Sequence, residues 1–279
     1  MRATSRAADR AFFTGLARAF GGAILFALPL LMTMEMWWLG FYLSRTHLVV
    51  FTVLMIPLLV ALDYYSGFEE TRNWREDLMD GMIAYGVGLA ASFFILALFG
   101  VIDASQTPRE IVGKVAIQSV PASFGAVLAN SQLAGDAESD DGQKRRKEQA
   151  GYGGQILFMV AGAVFLAFNV APTEEMILIS FVMTRWHALL LLVASLLVMH
   201  GFVYGAGFRG TPRAPEGTSQ LSLFLRYTVV GYAVALLVSA YVLWTFGRFE
   251  STPFLACLET TLVLAFPASL GAAAARLIL

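Results

Sequence analysis

Eight stretches of about 20 mostly apolar residues recur along the chain, and each is long enough to cross the hydrocarbon core of a bilayer as one helix. They fall near 19–38, 47–65, 78–101 and 111–130, and, after a polar interval, near 155–177, 186–204, 223–246 and 254–276. Inside a bilayer every backbone polar group must be satisfied within its own segment, so stretches of this kind predict helices. The expected fold class is therefore all-α: a polytopic membrane protein with eight transmembrane helices.

Composition points the same way. The 279 residues are 58% hydrophobic and 14% charged, against about 25% charge in an ordinary soluble domain. Too few polar residues remain to cover a water-facing surface, which excludes a soluble enzyme. A net charge of −1 offers no basic footprint for nucleic acid. One cysteine, Cys257, excludes a disulfide framework and a cysteine-ligated zinc site. The partner that composition does imply is the lipid bilayer.

The basic residues orient the spans. With both termini in the cytoplasm, Arg2, Arg6, Arg10, Arg18, Arg72, Arg75, Lys144, Arg145, Arg146, Lys147, Arg209, Arg213, Arg226 and Arg276 all lie on the inner side. Only Arg45, Arg109, Lys114, Arg185 and Arg248 are left near the outer face. That is the asymmetry the positive-inside rule requires. Residues 1–18 spread their arginines among Phe12, Phe13 and Leu16, unlike the compact pattern of a signal peptide. They read as a basic interfacial segment leading into a retained first span. Residues 131–154, with Asp136, Glu138, Asp140 and Asp141 followed by the basic run 144–147, read as a solvated cytoplasmic linker.

The sequence also repeats itself. Residues 22–68 align without a gap on 162–208 at an offset of 140, pairing Thr33/Thr173, Glu35/Glu175, Met36/Met176, Phe41/Phe181, Arg45/Arg185 and His47/His187. Farther on, Phe99-Gly100 matches Phe246-Gly247 at an offset of 147, and Pro121-Ala-Ser-Phe-Gly-Ala126 matches Pro267-Ala-Ser-Leu-Gly-Ala272 at 146. Apolar bias can align leucines, but it does not align Glu, Arg and His together. The reading is two four-helix repeats, 19–130 and 155–279. An even number of spans in each makes them parallel, related by an axis along the membrane normal. The small-residue motif reads as a packing seam between the halves.

The candidate site follows from that repeat. Glu35 and Glu175 each stand two residues after a threonine, Thr33 and Thr173, and Glu174 is peculiar to the second half. Pro29 and Pro172 interrupt the preceding helices, so the first and fifth spans are expected to be broken, with short second segments ending near Ser44 and Thr184. Broken helices at matching places in two halves point to a transport site. There the glutamates, the threonines and freed carbonyls would bind a cation or proton. The alternative is structural, with Glu35 paired to Arg45 and Glu175 to Arg185 across the following turn. Lys114 and Glu259 fall at nearly equal depth in the two halves and are expected to neutralise each other.

His47 and His187, each beside an arginine at a helix start, are better explained by interfacial hydrogen bonding than by a metal. His200 reads as a packing residue. Gln118, Asn130, Asp63 and Asp80 fall near span ends or on polar faces and have no repeat partner. No enzyme motif, cofactor motif or metal-ligand spacing is present.

The Thr-x-Glu-Met…Phe…Arg-x-His pattern at 33–47 and 173–187, with the paired Phe-Gly and Pro-Ala-Ser-x-Gly-Ala motifs, resembles a family of uncharacterised bacterial integral membrane proteins classed as a domain of unknown function. That resemblance implies a bacterial cytoplasmic membrane and brings no activity with it. The stretch Pro172–Glu175 is also similar to motifs of cation antiporters, but those have inverted repeats and their mechanism is not carried over. The expected function is a secondary transporter or channel for a cation, proton or small solute. The alternative is a non-transporting scaffold, sensor or assembly factor, and either could form an oligomer. A reporter fused to either end should be active only in the cytoplasm; activity outside would overturn the orientation.

Overall fold

The computed structural model describes residues 2–66, 74–133, 151–205 and 219–278, and the chain divides at Gln149/Ala150 into two compact units. In unit 1, α1 (Arg2–Leu31) is followed by a short α2 (Met34–Tyr42), then by α3 (Arg45–Ser66), α4 (Trp74–Leu98) and α5 (Pro108–Leu133). Unit 2 begins with α6 (Tyr152–Val170) and a short α7 (Glu175–Val182). There α8 (Arg185–His200) runs into a π-helical turn, Gly201–Gly205. A second π-helical stretch, Phe224–Val229, separates α9 (Gln220–Leu223) from α10 (Val230–Thr245), and α11 (Phe254–Ile278) closes the unit. No strand occurs among the described residues.

Among the described residues, eight helices are long and apolar enough to span a membrane. Their outward faces carry residues that only lipid would accommodate, among them Leu25, Phe94, Leu190 and Leu237. Six spans lie close to their expected positions. The first and fifth differ: they cover Phe12–Leu31 and Tyr152–Val170 rather than 19–38 and 155–177. The basic N-terminal segment leads into the span without a break, as the start of α1. One expectation is corrected: Pro29 lies inside α1 without interrupting it. The break comes only at Met32–Thr33.

The last helix of each unit is its hub: α5 packs on α1, α2, α3 and α4, and α11 packs on α6, α7, α8 and α10. These approaches are close because glycines face one another. A Cβ on Gly22 would overlap Ala129 and fall 2.7 Å from the Gly125 carbonyl, and one on Gly125 would lie 2.6 Å from the Gly22 carbonyl. In unit 2 the repeat-matched glycines, Gly162 and Gly271, touch in the same way. Gly40 and Gly113 join α2 to α5, and at the matching place Ser180 and Thr260 share a 3.0 Å hydrogen bond between α7 and α11. The expected seam between halves is thus corrected: each Pro-Ala-Ser-x-Gly-Ala motif packs its glycine inside its own unit.

The Phe-Gly pairs have an equally local reason. Gly100 and Gly247 both adopt φ +70°, a left-handed conformation that glycine accepts without penalty. The following amides bond back to the helix, Val101 to the Leu96 carbonyl and Arg248 to the Leu243 carbonyl, both at 2.9 Å. These are Schellman C-caps ending α4 and α10.

Gly22→Leu or Gly162→Leu should force α1 off α5 or α6 off α11 and cost at least about 1–3 kcal/mol. Gly21→Ala, where an added Cβ meets nothing within 4 Å, should be neutral or gain up to about 1 kcal/mol of helix propensity. Thermal unfolding in detergent distinguishes them.

Candidate functional site

The expected breaks are present after α1 and α6, and their chemistry is closed. At the end of α1, Thr33 donates its hydroxyl to the Pro29 carbonyl, the Gln118 amide donates to Leu30 at 3.1 Å, and the Trp37 indole donates to Leu31 at 2.8 Å. At the end of α6, Thr173 donates to the Val170 carbonyl at 2.8 Å, and the Arg248 guanidinium donates to the Pro172 carbonyl. The protein's own donors thus take up the Pro29, Leu30 and Leu31 carbonyls at the first break and those of Val170 and Pro172 at the second.

Glu35 and Glu175 sit in the first turns of α2 and α7. A carboxylate there complements the positive end of the helix, an effect worth about 0.3–1 kcal/mol. Glu35 is half-buried, whereas Glu174 and Glu175 are exposed. Among the described residues neither Glu35 nor Glu175 meets an arginine, and Arg45 and Arg185 are both exposed.

The histidines serve helix starts. His47 donates its amide to Ser44 Oγ at 3.2 Å. His187 completes a capping box with Thr184, each side chain accepting from the other residue's backbone. His200 bonds Thr228 at 2.8 Å and packs between Tyr204 and Phe224. The described residues hold no cluster of three or more His, Cys, Asp or Glu arranged to bind a metal.

Lys114 finds partners in its own unit, donating to the Val101 carbonyl at 3.0 Å and to Gln106 Oε1 at 3.1 Å. Glu259 is half-buried in the second turn of α11. In the loop that Lys114 braces, the Ser105 hydroxyl and amide both donate to Asp103, holding its carboxyl below the usual range.

Asp63, expected near a span end or on a polar face, lies near the end of its span and is buried there. Asp63 is 3% exposed, within the span Arg45–Tyr65, and its Oδ1 has no hydrogen-bond partner. Asp77, also buried, and Asp80 approach on α4, close enough for their charges to act on it. Asp63 thus feels the charges of Asp77 and Asp80 at the end of unit 1 where α3 finishes and α4 begins. The signal available in the sequence was their shared height at the facing ends of consecutive spans.

A family model described as "Putative integral membrane protein (DUF2391)" matches residues 15–279. The chain belongs to this family. The match spans both units, so the DUF2391 family covers the Asp63 cluster and the glutamate-bearing short helices alike. Searches among curated proteins and among solved structures gave no match.

Because the glutamates and arginines stand apart, double-mutant cycles of Glu35→Gln with Arg45→Gln, and of Glu175→Gln with Arg185→Gln, should show coupling within about 0.5 kcal/mol. Coupling well above that would restore the structural pairing.

Proposed function

We propose that this integral membrane protein carries a proton or small cation across the bilayer, with Asp63 as the group that takes it up. One observation carries the reading: a carboxylate inside a span, 3% exposed, with an oxygen left unpartnered. An intramembrane carboxylate costs at least about 2.5 kcal/mol. A bound proton or cation offsets that cost, and Asp77 and Asp80 would concentrate cations at the same mouth. Glu35, at the opposite end of the spans of unit 1, is the group from which the ion would be drawn or released. The excess of Lys and Arg on one side supports an orientation with both termini inside, which makes the Asp63 end cytoplasmic; a bacterial cytoplasmic membrane is what the family resemblance implies.

A second reading, a non-transporting scaffold, sensor or assembly factor, is favoured by the closed carbonyls at the helix breaks. Proteoliposome flux separates the two. Under imposed proton, sodium and potassium gradients the parent should conduct at least one ion, and Asp63→Asn should abolish that flux. The variant should remain folded, since Asn keeps the size of the side chain and carries no charge. Absence of flux for every ion, or undiminished flux in the variant, would remove the carrier assignment.

A further inference from the structure

Unit 2 places a different charge at its corresponding end. Arg276, in the last turn of α11, is 7% exposed. Its Nη1 donates to the Tyr204 hydroxyl at 3.1 Å and its Nη2 to Gln155 Oε1 at 3.0 Å. Its guanidinium carbon lies 4.3 Å from the Tyr227 ring centroid. These neutral and aromatic groups orient the cation without balancing its charge, and the Nε, fully buried, has no partner. The acidic residues described in unit 2, Glu174, Glu175, Glu250 and Glu259, all belong to the other ends of its helices. A second cation stands at the rim: exposed Arg226 lies over the Tyr152 ring, and Tyr152 packs edge-on to Tyr227 at 5.6 Å.

The backbone is shaped around this group. Tyr204 and Tyr227 lie on the two π-helical stretches, Gly201–Gly205 and Phe224–Val229. A π-turn lets an extra residue into the helix and re-aims the side chains beside it, and such turns concentrate at functional sites. Unit 1 has neither feature: α3 stays α-helical past Tyr64, the match of Tyr204. In the repeat alignment Gln155, His200, Tyr227 and Arg276 stand where the first half has Gly15, Val60, Asp80 and Asn130. The cationic arrangement is thus particular to the second unit.

We propose that this end of unit 2 is a binding site for a phosphate group, anchored by Arg276, with Tyr204, Gln155 and Arg226 contributing at its half-buried to exposed rim. The unpartnered Nε–H and the remaining Nη protons form the planar fork that donates to two phosphate oxygens. Tyr204, which accepts from the arginine, keeps its own hydroxyl proton to donate. An anionic lipid headgroup and free phosphate share this chemistry, and the experiment tells them apart. The proposal is independent of Asp63 and of ion flux.

The test is thermal unfolding of the full chain in neutral detergent, titrated with phosphatidylglycerol or with inorganic phosphate, using phosphatidylcholine and chloride as controls. A ligand that binds only the folded state raises the midpoint with concentration. A rise with phosphatidylglycerol alone identifies a lipid headgroup, and a rise with phosphate a soluble anion. In either case Arg276→Gln should abolish the rise, and Gln155→Ala, at the rim, should weaken the apparent affinity several-fold. The proposal is overturned if neither compound raises the parent's midpoint above its control. It is also overturned if the rise is equal in Gln155→Ala and in a folded Arg276→Gln, a result that means binding elsewhere on the surface. If Arg276→Gln does not fold, Gln155→Ala decides, and a rise as large as the parent's overturns the proposal.

Discussion

Close contact between small residues is what the rest of this protein depends on. Lipid tails are as apolar as the side chains they touch, so helices in a bilayer gain little from hiding apolar surface and associate through packing and hydrogen bonds. Gly22 against Gly125 and Gly162 against Gly271 let a hub helix lie almost backbone to backbone with the first helix of its unit. The other spans gather around that hub. Buried serines that return their hydroxyls to their own helices, as Ser123 does to Ser119 at 2.6 Å, keep polar groups satisfied at the same seams.

Against this background the unsatisfied groups stand out. The freed carbonyls after α1 and α6, where sequence reasoning expected an ion, are occupied by Thr33, Gln118, Trp37, Thr173 and Arg248. The buried groups with an unpartnered atom lie instead at the other ends of the helices: Asp63 in unit 1, and Arg276 among tyrosines in unit 2. Two units with the same order of long and short helices thus carry opposite charges at corresponding places. A carboxylate that lacks a partner suits a mobile cation. A guanidinium held by neutral acceptors suits a bound anion.

Much of the fold was legible because a bilayer imposes a length. The eight spans, the short segments after the first and fifth, and the Phe-Gly and Pro-Ala-Ser-x-Gly-Ala pairs all carry periodic or compositional signals that one sequence retains. The first and fifth spans were placed up to seven residues late because apolar α2 and α7, rich in Trp, Phe and Ile, read as continuations of the preceding helix. The candidate site was less legible. Glu35 and Glu175 drew notice by recurring, while Asp63 has no counterpart, and nothing local shows that α4 will cover it. Arg276 read as a topological anchor, because π-turns leave no trace in hydropathy and its aromatic partners are distant in sequence.

The central claim is that Asp63 takes up a cation from one side of the membrane. Charge displacement on a solid-supported membrane, recorded after a rapid jump in proton or sodium concentration, tests it directly, since binding alone moves charge. The account predicts a transient current in the parent that disappears in Asp63→Asn and survives in Glu35→Gln. A parent without any transient, or a variant at Asp63 with the same transient, would contradict it.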